Sequence, residues 1–500
     1  MFHLRRFACA VACAATASLS LAAQQTTAGP PAFVTFPILT HVTDNGLDHG
    51  HFVEGPGESA LPAPIFKAPA PGTAGGASFA GTVGASLESD VSNAGGSYEG
   101  ETGAVSNGTR LVGGANHIYP GACVATALPG TTGDCAPMAY SSLDGVTFVS
   151  SSLSRVWKGT TFGIGFDPAI DVDKSGTFYY SYGVAPLSGN YPNALVMMKS
   201  ADGINWTPLT PITFNNRKDF DDKYYLAIDR SSGTFANRIY VSWDRNSGNN
   251  QILYIASSSN GGQTWTAPIK VNDGTSRFER VIGAYPAVNQ TTGDVYDSWH
   301  DYSKNIIYVD KSVNGGATWG TDKAAATTHA GFGADIGCVG GRSQGPAHAL
   351  KIGPSGTLYL VYADPVAGRG FDVLLTKSTN NGANWSAPVR LNDDTGAADQ
   401  FHPTLSVEGG TGGDKVTVSF YDRRDDPANC LANVYATQST NGAATWSANV
   451  RLTTAASNFD GNPNGPGDYS SSSPFGTFGV FPFFSDHRAT DYDVFTAAIK

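Results

Sequence analysis

The chain has 500 residues, of which 60 are Gly and 28 Pro; only 15% are charged, and the formal charge is -11 at pH 7. Of its 42 acidic residues 35 are Asp and 7 are Glu, and because Asp favours turns and caps where Glu favours helix interiors, long helical bundles and coiled coils are excluded. A hydrophobic share of 41% excludes global disorder, and without a run of Lys and Arg the chain has no basic face to offer nucleic acid.

In chain order, residues 1–23 come first: a short basic start, an Ala-rich apolar stretch, and small residues at Ser20 and Ala22. This pattern predicts a signal peptide cleaved near Ala22 or Ala23. The apolar stretch from Phe7 to Ala23 is broken by Thr and Ser and falls short of the ~20 residues a membrane span needs. The expectation is a secreted or periplasmic protein. Residues 24–97 are rich in Ala, Gly, Pro and Ser and read as a linker or surface arm, with one segment apolar enough for a strand, Phe33–Thr40 (FVTFPILT). Beyond the leader remain Cys123, Cys135, Cys338 and Cys430. Four cysteines allow three pairings, and the short separation favours Cys123 with Cys135.

From residue 98 onward one phrase recurs: SLDGVTF ending at Phe148, SADGINW at Trp206, SSNGGQTW at Trp265, SVNGGATW at Trp319, STNNGANW at Trp385 and STNGAATW at Trp446. The aromatic ends are 58, 59, 54, 66 and 61 residues apart, a periodicity that marks a repeat architecture. Each copy lies between a short apolar run, such as ILYIAS or VLLTK, and a second extended segment, such as APIKVN or APVRLN. An Asp/Asn-Gly turn between two such runs predicts a β-hairpin. Upstream of each copy a second hairpin is predicted, typified by DPAIDVDKSGTFYYSYG and HPTLSVEGGTGGDKVTVSFYDRR. Each unit therefore has four antiparallel strands, A to D. The run DVDKSG (Asp171–Gly176) starts like an EF-hand loop but lacks the terminal Glu and reads as the A–B turn.

The phrase resembles the Asp-box, or BNR repeat, of the sialidase-like β-propellers, S-x-D-x-G-x-T-W. In this chain Asn260, Asn314, Asn380 and Asn441 replace the acid, and the copies at Asp144 and Asp202 are one residue shorter. The resemblance implies an all-β propeller. Seven A–B hairpins point to seven blades, with six as the alternative. The last unit ends before its strand D, so an N-terminal strand must close the ring; FVTFPILT is the expected donor.

In a four-stranded meander the starts of strands A and the ends of strands B share one face, opposite the Asp-box turns. The expected mouth therefore gathers Asp167, Asp222, Tyr285, Gln344, His402 and Asp468 from the A starts. The B ends bring Asp244, Arg245, His300, Asp301, Asp364, Asp422, Arg423, Arg424, Asp486, His487 and Arg488. A polar ring on a rigid scaffold is a default binding site, although equivalent Asp and Arg at every blade also suit architectural pairing. The resemblance implies exo-glycosidase chemistry in which arginines clamp a sugar carboxylate, a Tyr polarised by a Glu is the nucleophile, and an Asp is acid/base. Carried onto this sequence, the carboxylate partners are Arg245, Arg280, Arg423 and Arg488, with His300 and His402 as further substrate contacts. Tyr285 with Glu279 supplies nucleophile and polariser, and Asp222 or Asp301 the acid. The family's N-terminal Arg motif is absent, since FVTFPILT contains no Arg. No cofactor is required; a calcium ion at the acidic mouth or a blade loop is a candidate. The expected partner is a glycan or glycoconjugate acted on by a hydrolase, and the alternative is a non-catalytic propeller binding a glycan or protein.

Overall fold

The computed structural model describes residues 71–500 apart from 87, 93–96, 119–134, 187–191, 217–218, 249, 276–278, 332–333, 335, 340–346, 461–464 and 489–491. The expected signal peptide, the segment FVTFPILT, and Cys123 and Gln344 lie outside the described residues.

Seven antiparallel sheets succeed one another along the chain, and their first strands are the A strands: Tyr98–Ser106, Ile164–Val172, Asp219–Ile228, the broken pair Val281–Ile282 and Ala287–Val288, His348–Ile352, Gln400–Gly410 and Ser471–Phe475. Each A strand packs against the next, and the last packs against the first. The fold is thus a seven-bladed propeller, as the hairpin count predicts, with the A strands around the centre. Between blades, apolar faces close on each other. Tyr180, Tyr182 and Met197 of blade 2 share one core with Ile228, Val241 and Trp243 of blade 3, and Leu375, Val416 and Phe420 join blades 5 and 6.

The recurring turns fold as the repeat predicts, and their hydrogen bonds explain the spacing of each variant. In the longer copies the Ser hydroxyl accepts from the amide four residues on, a Gly in three copies and Ala443 in the last, as in Gly316 N to Ser312 Oγ at 2.9 Å, and Asn314 Oδ1 accepts from Thr318 N at 2.9 Å. In the shorter copies Asp144 Oδ1 accepts from Val146 N at 2.8 Å and Thr147 N at 2.7 Å. The amides stabilise the ionised form, so Asp144 and Asp202 are both held below the usual carboxylate range. At Asp171–Gly176, Asp173 N donates to Thr177 O at 2.9 Å and Gly176 N to Asp173 O at 3.0 Å, which is a hairpin turn.

The ring closes through the arm, by a different segment from the one expected. Ser89–Asp90 pairs antiparallel with Phe495–Thr496 of blade 7. Just upstream, Gly75–Gly76 runs parallel to Val389–Arg390 of blade 5 and Phe79–Thr82 parallel to Trp446–Ala448 of blade 6. The arm therefore edges three successive blades, and the propeller begins near residue 75 rather than 98. These strands are too short and too Gly- and Ser-rich to show an alternating pattern; the blade edges supply their hydrogen bonds. Cys338 and Cys430 form a disulfide, and Cys135 is disulfide-bonded as well.

Candidate functional site

One rung of the A strands sets the site. Strands A of blades 1, 2, 3 and 6 are each interrupted by a bulge against strand B, and at that bulge the chain turns left-handed: Glu101 has φ 56°, Asp167 56°, Lys223 45° and His402 47°. Blades 4 and 7 place glycines there, Gly283 at φ 74° and Gly467 at 81°. Gly467 is further required because a Cβ would lie 2.8 Å from Glu101 Cγ. A non-Gly residue in this region costs about 1–3 kcal/mol, so four blades hold a charged or polar side chain where glycine would be cheaper. Such strain, repeated on one rung, calls for a function at that rung.

The side chains on this rung meet at the centre. Lys223 Nζ lies 2.6 Å from Asp468 Oδ2, 3.5 Å from Asp167 Oδ2 and 3.8 Å from Glu101 Oε1. Those partners belong to blades 7, 2 and 1, so one lysine of blade 3 reaches three other blades, which is possible only near the axis. All four residues are buried. Burial works against the lysine charge, but Asp167, Asp468, Asp222 and Glu101 outweigh it and hold Lys223 well above its usual range.

Asp222, one residue before Lys223, is the carboxyl with no cation of its own. Burial raises its pKa, against the pull of Lys223; it is close enough to Asp167 to hydrogen-bond, and its Oδ2 is buried without a partner. Behind it, Asp244 is pushed well above the carboxylate range by burial and by Asp222, and accepts from Gln251 Nε2 at 3.1 Å. The site thus combines an ammonium-paired carboxylate, Asp468, with carboxyls whose pKa values burial raises, the kind of divergence by which one site can hold an acid and a charge stabiliser together.

Two residues beyond the rung, three blades place tyrosines: Tyr225, Tyr285 and Tyr469. The Tyr225 ring is 4.5 Å from that of Tyr285 and 5.2 Å from that of Tyr469. Blades 1 and 2 have Gly103 and Ala169 at the same position, and a Cβ at Gly103 would lie 3.1 Å from Ile170 Cγ1. Burial, then neighbouring charge, raises the hydroxyls of Tyr225 and Tyr469 well above their usual value. The Tyr469 hydroxyl has no partner. Lys351 of blade 5 lies 5.4 Å from the Tyr285 ring centroid.

Of the residues singled out from sequence, Asp167, Asp222, Tyr285 and Asp468 stand in this central group, and His402 lies on the same rung. The remaining candidates make other contacts, and the His402 ring turns to aromatic neighbours. Glu279 is held by Lys270 Nζ at 2.9 Å and Asn272 Nδ2 at 2.8 Å. Asp301 caps its own turn, accepting from Ser303 Oγ at 2.6 Å and pairing with Lys304 Nζ at 2.7 Å. His300 is buried against Thr328 Oγ1 at 2.9 Å, and burial lowers its pKa to about 3. His402 packs edge-on against Phe401 and Tyr421. Arg245 makes a two-pronged pair with Asp221 at 2.6 and 3.0 Å. Arg280 donates to the Glu279 carbonyl at 3.1 Å. Arg423 donates to the carbonyls of Ile336 and Gly337 at 2.8 and 2.7 Å, and Arg488 binds Asp486 and, from the arm, Glu88. Sequence reasoning missed Glu101 and Lys223; aligning the A strands on the bulge rung, E-T-G, D-P-A, K-Y-Y, G-A-Y and G-D-Y, would have found both. Among the described residues, the one group of His, Cys and acidic donors close enough to share an ion is Cys338, Cys430 and Asp460, and its two sulfurs are already joined.

No protein-family model and no curated protein matches the chain. Solved structures do. A protein of unknown function from Dyadobacter fermentans is 16% identical, covering 71% of this chain and 98% of its own, with a TM-score of 0.47. The Hadza microbial sialidase Hz136 is 15% identical over 73% of each chain, with a TM-score of 0.44. An alpha-L-arabinanase of Penicillium chrysogenum, complexed with arabinobiose, is 11% identical over 67% of this chain and 94% of its own, with a TM-score of 0.46.

Proposed function

We propose that the protein is an exported glycoside hydrolase that works at the centre of the propeller mouth. In this reading Asp222 donates a proton to the leaving oxygen, the carboxylates held around Lys223 stabilise the positive charge that grows on the sugar, and the tyrosines give the ring a face to stack on. The observation that carries it is the pair of carboxyl environments on one rung: Asp222, raised by burial and with an unpartnered oxygen, beside Asp468, bonded to Lys223 at 2.6 Å. Glycosidic cleavage needs an undissociated acid and a carboxylate facing an oxocarbenium-like transition state, and a buried Asp222 with a raised pKa beside a lysine-paired Asp468 supports that reading. The reading stands on these side chains alone, since the solved structures are alike at low identity.

Hydrolysis of a panel of fluorogenic glycosides by the purified mature protein tests it. Asp222→Asn is expected to lower kcat by at least about 100-fold, the usual worth of a positioned acid, while thermal unfolding stays cooperative. In the wild type the rate falls as pH rises past the Asp222 pKa, because the acid is lost. No turnover on any glycoside would leave the propeller as a binding protein for a glycan or a protein partner.

A further inference from the structure

We infer, building on the hydrolase reading, that the sugar taken at this site carries no acidic group: it is neutral or bears an amine. Four carboxyl groups, Glu101, Asp167, Asp222 and Asp468, surround Lys223. Counting Lys351 beside Tyr285 as well, four acids face two ammonium groups; burial raises Asp167 as well as Asp222, and one proton shared between these two hydrogen-bonded carboxyls leaves three negative charges against two. A sugar carboxylate or sulfate brought here meets a net negative field in a site screened from water, where like charges repel strongly.

Recognition of an acidic sugar calls for guanidinium forks, which match a carboxylate with two parallel hydrogen bonds. The arginines of the mouth are committed to the protein itself: Arg245 to Asp221, Arg424 to Asp422 and Asp393, Arg488 to Asp486 and Glu88, and Arg423 to two backbone carbonyls. What the centre offers instead suits hydroxyl or amino groups. The buried Oδ2 of Asp222 and the buried hydroxyl of Tyr469 are polar atoms without partners, and the carboxylates can accept from sugar hydroxyls while Lys223 donates.

The test uses matched umbelliferyl glycosides that differ only at C6, glucoside against glucuronide and galactoside against galacturonide in both anomers, together with a free-amine hexosaminide and a sialoside. Turnover is expected for a neutral or amino member, with kcat/KM for each acidic counterpart lower by at least about 100-fold, the scale of a like-charge mismatch in a desolvated site. A preferred uronide or sialoside overturns the inference while leaving the hydrolase reading intact. If nothing turns over, the hydrolase reading falls, and calorimetric titration with neutral and acidic oligosaccharides decides the substrate class separately. Binding of the neutral set alone upholds the inference; binding of the acidic set, or of neither, overturns it.

Discussion

Lys223 is the side chain on which the centre depends. Buried with Asp468, Asp167 and Glu101, it offsets charges that would otherwise be stranded away from water, and removing one partner of such a group costs about 3–5 kcal/mol. Lys223→Met is therefore expected to unfold at a markedly lower temperature at pH 7.5. Without the ammonium the carboxyl pKa values rise further in the folded state, so the folded form binds protons more tightly than the unfolded one. Stability is then highest at low pH and lost as pH rises, and the variant should recover part of its deficit at pH 5. Thermal melts at the two pH values read this out, and an equal deficit at both would show that the lysine charge does not carry the effect. His300 gives the opposite sign. Its folded pKa is lowered to about 3 from 6.5 by burial, so its contribution is present above pH 6.5 and falls by about 1.4 kcal/mol per pH unit as pH drops through that window. In His300→Gln the decline of stability between pH 6.5 and 4 should be shallower. Asp222 was visible in the sequence because it starts a strand on the expected mouth face. Lys223 and Glu101 were not, since a single lysine in DDKYYLAI and a single glutamate in ETGAV read as ordinary solvent-facing positions until the bulge turns them inward.

At the level of the strand and turn, the B ends of blades 6 and 7 share a device that accounts for Arg424 and Arg488. Asp422 Oδ1 accepts from Arg424 N at 2.8 Å and Asp486 Oδ1 from Arg488 N at 3.0 Å, and the same carboxylates grip the guanidinium groups two residues on. The D-x-R spacing is therefore a local clasp at the end of a strand, which sequence can show, whereas which way a guanidinium points depends on an acid it meets only after folding. The Ser of each recurring turn is also testable as an element. Ser378 Oγ accepts from Gly382 N at 3.0 Å and donates to Asn380 Oδ1 at 2.9 Å, so Ser378→Ala leaves a buried amide unpaired and is expected to cost about 1–3 kcal/mol. Denaturant titration measures it, and a loss below 0.3 kcal/mol, by the scale of surface changes, would mean that the turn is held by its glycines and aromatic end alone. The turns were legible because their chemistry is local. The closing strand was not, because Ser89–Asp90 has no pattern of its own and is a strand only by virtue of the edge it meets.

The described residues form a ring whose two ends are joined by strand pairing between the arm and blade 7. Blade 7 takes its outermost strand from the arm, where Ser86 N donates to Ala498 O at 2.8 Å, Val91 N to Val494 O at 2.8 Å and Lys500 N to Gly84 O at 2.8 Å. The half-buried pair of Arg488 with Glu88 pins the same segment. Deleting residues 24–91 bares the edge of Asp493–Thr496, a row of unpaired amides and carbonyls that templates association with another chain, and also strips the parallel edge strands from blades 5 and 6. The truncated protein is expected to melt at a lower temperature and to associate as its concentration rises, read by scanning fluorimetry and light scattering after size exclusion. The disulfide separates this effect from general loosening. Cys338–Cys430 ties the connection between blades 4 and 5 to blade 6 across a sequence separation of 92 residues and is worth about 4–5 kcal/mol in the chain-entropy account. Reduction should lower the melting temperature of the intact protein without making it associate, since no strand edge is bared. If truncation and reduction give the same loss of stability and neither gives association, the arm is only a strap and blade 7 is complete without it; association in the truncated protein alone identifies the arm as the seal of the ring.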